Sequence, residues 1–244
     1  MKIFKYLFNS LLDFLVPPTC MYCKKYIVDP HAICKDCFMK LDFINEPSCK
    51  DCGAPLPFDN SFCVSCLGTL NQSKQYDEID AIFNYDEFSK GTILALKHGN
   101  ATYIAKFFAN IMYKKYKNKF DTSDLIVYVP IHFKRLFQRH YNQTALIARH
   151  LNKFSDIKVS HNNLIRIKNT VPQQGNIKKR IRNVKNAFMI RNEKEIEGKN
   201  IILIDDVFTT GATINECSRL LKIAGAKKII CLCIARAFHI HHNV

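Results

Sequence analysis

Eight of the eleven cysteines lie between positions 20 and 66, in four C-x2-C pairs: Cys20/Cys23, Cys34/Cys37, Cys49/Cys52 and Cys63/Cys66. Each cysteine of the first two pairs recurs 29 positions later, so the segment is two copies of C-x2-C-x10-C-x2-C. A C-x2-C turn points two thiolates at one centre, and two such turns complete a tetrahedral site. Two four-thiolate zinc sites therefore use all eight residues. The spacing allows each repeat to hold its own metal, and it equally allows the pairs to interleave. His31 lies close by, but four thiolates already fill the first site. A disulfide framework would need an exported chain. A thioredoxin-like motif occurs singly beside a βαβ unit, not in tandem. The zinc sites are structural, because a segment of ~50 residues with few large apolar side chains has little core of its own.

The first residues argue against export. Residues 1–17 start basic and turn apolar, as a signal peptide does, but Asn9, Ser10 and Asp13 interrupt the run. No small-x-small cleavage site follows. Phe4, Phe8, Leu11 and Leu15 instead recur as one helical face, which Pro17 and Pro18 end. The expectation is an amphipathic helix over 1–17 that docks on the body, with a membrane surface or a partner as the alternatives. No run in the chain approaches the ~20 apolar residues of a membrane helix. The expected organisation is this helix, a double zinc ribbon over 18–72, and a third region over 73–244.

The third region alternates strands and helices. Residues 80–85, 125–129, 201–204 and 228–235 read as strands. Residues 90–116, 142–152 and 214–224 read as helices, the second with Leu146, Ile147 and Leu151 on one face. On the third, Ile214, Cys217, Leu220, Leu221 and Ala224 face inward and Gly225 stops the helix. Continuous apolar strands alternating with helices indicate an α/β domain with a mostly parallel sheet. Cys217, Cys231 and Cys233 fall on buried faces of these elements and read as small apolar residues. His239, His241 and His242 read as a solvated tail.

The segment IILIDDVFTTGAT, residues 201–213, carries the chemistry. Four apolar residues make a buried strand, and two acids follow where open α/β sheets place their ligands. Thr209, Thr210, Gly211, Ala212 and Thr213 then offer backbone N–H groups and hydroxyls at a helix start, which is a phosphate cradle. The loop lacks the lysine of a P-loop, so hydrolysis of a nucleoside triphosphate is not indicated.

This segment resembles the 5-phosphoribosyl-1-pyrophosphate (PRPP) signature of the phosphoribosyltransferases. The resemblance implies a type I phosphoribosyltransferase sheet, with Asp205 and Asp206 as catalytic acids on the ribose hydroxyls and residues 209–213 on the 5-phosphate. The whole chain resembles the ComF branch, associated with natural competence and DNA uptake. LLDFLVPPTCMYC opens it, the double ribbon follows, and VPIHFKRLFQRHYNQ (residues 129–143) is similar to that branch's loop after the first buried strand. That loop usually has glycine where this chain has His140. Residues 166–188, with Thr170, Gln173, Arg180, Asn183, Ala187 and Phe188, resemble its mobile hood.

Bound PRPP is a magnesium-complexed polyanion whose pyrophosphate departs from C1, so fixed cations must face that group. Arg135 and Arg139, with Lys134, are the first candidates. Lys178, Lys179, Arg180 and Arg182 are the second set, with a solvated basic surface as the alternative. The net charge of +15 fits a polyanionic partner, and a basic surface with rings suits single-stranded DNA. Phe133, Phe137 and Tyr141 interleave with Lys134, Arg135 and Arg139. Core packing is the preferred reading of those rings, and base stacking is the other.

Three functions follow. The first is a cytoplasmic protein with a PRPP-binding fold that handles incoming single-stranded DNA. The second is a magnesium-dependent transferase of the phosphoribosyl group to an unidentified acceptor. The third is a scaffold whose ribbon and first helix hold a DNA helicase or an inner-membrane DNA channel, with peripheral membrane contact through residues 1–17.

Overall fold

A computed structural model describes residues 17–27, 33–49, 51–58, 62–63, 66, 74–99, 101–170 and 177–237, without the side chains of 177–180. The expected helix over 1–17 therefore lies almost wholly outside the described residues, as do His31, Gln173 and the terminal histidines. Two compact units divide the chain, Met1–Leu41 and Asp42–Val244.

The first unit is the first zinc-ribbon repeat. Its knuckle closes with Cys20 N–H donating to Lys25 O at 2.8 Å, and Lys24 sits in the left-handed region at φ 61°. Helix α1 (Lys35–Phe38) carries the second cysteine pair of the repeat onto the same centre.

The second unit opens with the second repeat, which copies the first. Cys49 N–H donates to Ala54 O at 2.7 Å, and Gly53 takes the left-handed position at φ 67°. A Cβ at Gly53 would stand 3.2 Å from Ile79 O, so this knuckle presses on the sheet as only a glycine permits. Ile44, Cys49, Cys52 and Ala54 pack in one core cluster with Ile79, Ala81, Cys231 and Cys233. The second ribbon repeat is thus part of the α/β core.

That core is a four-stranded parallel sheet in the order β1-β6-β5-β2, formed by β1 (Glu78–Asn84), β2 (Leu125–Tyr128), β5 (Asn200–Phe208) and β6 (Lys228–Arg236). The run Lys-Ile-Ile-Cys-Leu-Cys-Ile-Ala-Arg makes β6 central, with its seven inner residues buried. A strand apolar on both faces needs cover on both sides. Helix α8 (Ala212–Ile223) packs in the cluster on one side. Helices α3 (Ile104–Lys115) and α6 (Gln143–Ser155) pack on each other and against the sheet. A small antiparallel pair, β3 (Leu164–Arg166) and β4 (Phe188–Ile190), stands apart from the main sheet.

Three expectations change. The helical stretch over 90–116 is two helices, α2 (Glu87–His98) and α3, because Gly99 ends the first and Gly99, Asn100 and Thr102 favour helix poorly. The strand expected over 201–204 continues to Phe208, since β6 is long enough to pair Asp205 with Cys233 and Phe208 with Arg236. The acids thus sit inside the last turns of a paired strand. In α6 the buried stripe is Ile147, Ala148 and Leu151, with Leu146 half-buried. Cys217, Cys231 and Cys233 are fully buried, and burial pushes their thiols up, which makes them inert packing groups. No helix among the described residues is long and apolar enough to cross a membrane.

Candidate functional site

Each ribbon repeat gathers its own four thiols. Cys20, Cys23, Cys34 and Cys37 form one group and Cys49, Cys52, Cys63 and Cys66 the other, with the Sγ atoms of each group within 4.8 Å of one another. The pairs do not interleave. The Cys34 N–H donates to Cys20 Sγ and the Cys63 N–H to Cys49 Sγ, both at 3.3 Å. Backbone donors on sulfur favour the thiolate form. Four thiolates on a zinc–sulfur radius of about 2.3 Å fit that spread, so both groups suit structural zinc.

The second site grows from the end of β5. Gly211 stands at φ 73° before α8, and a Cβ there would come 2.7 Å from Phe208 Cζ. Only glycine fits both the backbone angle and the ring. The turn leaves the N-terminus of α8, with the hydroxyls of Thr209, Thr210 and Thr213, facing a cavity of about 370 Å³. Asp205 and Val207 line the same wall. Lys97, Arg135 and Arg166 bring three cations, and Thr170 and Asn183 also line the cavity. Arg135 Nη2 donates to Thr170 O at 2.5 Å, while Arg166 bonds the Thr170 hydroxyl and lies 5.2 Å over the Phe188 ring. Burial and then the charge of Arg139 hold the Arg135 guanidinium below its ordinary pKa, and burial and then Arg135 do the same to Arg166.

The two acids are not equivalent. Asp205 faces the cavity, and Asp206 is buried behind it. Asp206 Oδ1 pairs with Lys97 Nζ at 3.1 Å, and its Oδ2 accepts from Gln143 Nε2 at 2.5 Å. Burial first, and then the charge of Asp206, push the Asp205 carboxyl up to about 7; Lys97 and Arg166 oppose the rise.

The loop after β2 is tied back tightly. Asn142 Nδ2 and Thr144 Oγ1 both donate to Val129 O, at 3.1 and 2.7 Å. His132 caps α5 (Phe133–Arg139), its Nδ1 accepting from Lys134 N–H at 3.3 Å. Desolvation and the cations Lys134, Arg166 and Arg135 hold this imidazole below its usual pKa, which suits an acceptor. His140 ends α5 in the left-handed region at φ 63°, so the turn keeps its shape without glycine.

The structure sorts the expected residues. Arg135, Asp205, Thr209, Thr210, Gly211, Ala212 and Thr213 meet at the cavity. Lys134, Arg139 and Arg182 do not line it. The side chains of Lys178, Lys179 and Arg180 lie outside the described residues, although helix α7 (Ile177–Val184) carries their backbone. Core packing of the loop rings is overturned: Phe133 is 66% and Phe137 83% exposed, because α5 is a short helix with no buried residue. Tyr141 is half-buried and its hydroxyl donates to Leu96 O at 2.6 Å. Lys97 was not legible as a site residue, since it stands in no motif, and although Gln143 ends the segment 129–143, nothing local marks Asp206 as its partner.

A cradle of helix N–H groups, hydroxyls and three cations fits a polyanion. One acid at its centre fits a hydroxyl donor. The chain is similar to known proteins in both its parts. Residues 11–67 match the double zinc ribbon domain family, and residues 147–239 the phosphoribosyl transferase domain family. Competence protein F of Haemophilus influenzae is 31% identical over 226 residues, spanning 89% of this chain and 96% of that one. The chain belongs to the ComF family. Two further relatives of this ComF chain cover it broadly. The DNA utilization protein YhgH of Escherichia coli is 26% identical over 91% of this chain and 98% of its own length. Competence protein ComFC of Bacillus subtilis is 30% identical over 78% of this chain and 77% of its own.

Proposed function

We propose that this chain binds magnesium-complexed PRPP in the cavity beside Asp205 and handles incoming single-stranded DNA during competence. The observation that carries the first half is the convergence of Asp205, the Gly211 turn and three cations on one cavity. In this reading the 5-phosphate lies on the N–H groups and hydroxyls of residues 209–213. Asp205 accepts hydrogen bonds from the ribose hydroxyls, with Asp206 behind it. Arg135 faces the pyrophosphate, and Arg139, outside the cavity lining at the end of the same helix, adds positive charge nearby. Magnesium supplies further charge neutralisation at that group.

The second half rests on the competence and DNA-utilization relatives, on the charge of +15 and on α5. Exposed Phe133 and Phe137 stand among Lys134 and Arg139, the arrangement of rings and cations that holds single strands without reading sequence. Arg182 on α7 is exposed and adds to the basic surface, as Lys178, Lys179 and Arg180 do in this reading. The zinc ribbon over 18–72 and the helix over 1–17 are the parts offered to a helicase, to the inner-membrane DNA channel or to the membrane face, and 73–244 is the ligand-binding domain. The site of action is the cytoplasm.

Transfer chemistry is the second reading, favoured by the same cation-lined cavity. There the C1–oxygen bond of PRPP breaks, pyrophosphate leaves with the electron pair, and an acceptor takes C1.

Calorimetry on the zinc-loaded full chain tests the ligand. Wild type should bind Mg-PRPP in the micromolar range, and Asp205→Ala should bind at least about tenfold more weakly. Absence of binding by wild type contradicts the reading. Release of pyrophosphate without an added acceptor, lost in Asp205→Ala, would favour transfer.

A further inference from the structure

Lys97 is a cation of the cavity that belongs neither to the loop after β2 nor to the turn after β5. It sits in the last turn of α2, whose apolar face packs into the core through Ile93 and Leu96. Its neighbours are those of the loop after β2. Tyr141 of that loop donates its hydroxyl to Leu96 O at 2.6 Å, which fixes the end of α2 against the loop. The next residue, His98, is held below its usual pKa by burial and then by Arg139 and Lys97. Lys97 therefore stands beside the loop that carries Arg135 and lines the same cavity as Asp205.

Its aim is set from behind. Asp206 Oδ1 holds the ammonium at 3.1 Å, and Gln143 Nε2 fixes the other oxygen of the same carboxylate. Gln143 in turn starts α6 directly after the Asn142 cap that binds Val129 O. Among the described residues Gln143 Oε1 is buried without a hydrogen-bond partner, so its amide is committed to Asp206 at a cost. An ammonium has three donors, and one ion pair does not use them all. The Lys97 side chain still lines the cavity while paired.

We infer that Lys97 is a pyrophosphate-binding residue of this cavity, and that Asp206 and Gln143 are its positioning residues. This rests on the PRPP reading above and deepens it: the ligand's diphosphate is read from α2 as well as from the β2 loop, while Asp205 alone meets the ribose. Lys97 as a mere neutraliser of a buried acid makes a different prediction, because neutralisation is blind to which group of the ligand is present.

The test compares two ligands on the zinc-loaded full chain by calorimetry with magnesium present: PRPP, and ribose 5-phosphate, which lacks the diphosphate. Lys97→Met should weaken PRPP by about tenfold or more, as loss of a charge-assisted contact does, and leave ribose 5-phosphate within about twofold. Lys97→Arg should restore most of the PRPP affinity. Because Lys97→Met leaves Asp206 buried and unpaired, the double variant Lys97→Met/Asp206→Asn serves as the fold-preserving partner and should show the same selective loss. Equal loss for both ligands, or no loss for either, overturns the inference and leaves the PRPP reading standing. Wild type that binds ribose 5-phosphate as tightly as PRPP also overturns it. Wild type that binds neither ligand overturns both.

Discussion

The guanidinium of Arg236 lies 4.3 Å from the centre of the Phe208 ring, and its Nη1 donates to Thr209 O at 2.5 Å and to Phe208 O at 3.3 Å. The end of β6 thereby holds the turn that follows β5. The same ring receives the edge of Tyr76 at 6.5 Å and leaves no room for a Cβ at Gly211. Tyr76 donates its hydroxyl to Asp51 O at 2.9 Å, inside the second zinc knuckle. Phe208 thus links the second four-thiol group to the Gly211 turn.

Phe208→Ala should therefore cost about 3 kcal/mol or more in urea unfolding, as deletion of a buried ring does, and should weaken Mg-PRPP as well. Gly211→Ala should weaken the ligand too, since it adds both left-handed strain and a contact with the ring. Equal affinity in both variants would show that the turn is held by something else.

Loss of the second zinc should reach the ligand site. Cys49 and Cys52 belong to the core cluster that includes β1, β5 and β6. Cys52→Ser should lower the melting temperature of the unit Asp42–Val244 and reduce Mg-PRPP affinity through Asp51, Tyr76 and Phe208. A scan and a titration on the same preparation check both. An unchanged melting temperature would separate the ribbon from the core.

Asp205 should make the protein less stable as pH rises from about 4 to about 7. Its carboxyl is raised to about 7 in the folded chain, against about 3.9 unfolded. Between those values the folded state holds the proton more often, so stability falls with pH and is level outside the window. Asp206, Lys97 and Arg166, with Cys217, Cys231 and Cys233, are the titratable and charged groups facing it. Asp205→Asn should match wild type near pH 4 and exceed it near pH 8 in urea midpoint. A difference between Asp205→Asn and wild type that does not grow across this window would contradict the assignment.

His140→Gly should stabilise the chain. The histidine is exposed and left-handed at φ 63°, a backbone that L side chains adopt at a cost of about 1–2 kcal/mol. Glycine removes that cost and gives back part of it as chain entropy, so the net gain should be about 0.5–1 kcal/mol. A lower urea midpoint would mean that the imidazole makes a contact that outweighs the strain.

Much of this architecture was readable because its signals are local. Two equal cysteine repeats specify two four-thiol centres, and a run such as Ile-Ile-Leu-Ile followed by Asp-Asp and a threonine-rich turn specifies a strand, an acid pair and a cradle. The pairing within repeats was not local: C-x2-C spacing is satisfied either way, and only the fold brings Cys34 N–H onto Cys20 Sγ. Lys97 was invisible for the same reason, since its meaning comes from Asp206 on another element. The exposure of Phe133 and Phe137 also ran against composition, because aromatic residues in a short segment read as core until α5 is seen to bury nothing. Gly99 did carry the signal that divides the long helical stretch, but periodicity alone continued across it.

The most direct test of the account is fluorescence anisotropy of a labelled single-stranded oligonucleotide with the zinc-loaded full chain, across a salt series, with and without Mg-PRPP. The account predicts micromolar or tighter binding at low salt and a steep loss as salt rises. It also predicts a loss of at least about thirtyfold in Phe133→Ala/Phe137→Ala, from two stacking contacts removed, and weaker binding when Mg-PRPP occupies the adjacent cavity. No binding at low salt, or binding that neither the rings nor salt affects, would contradict it.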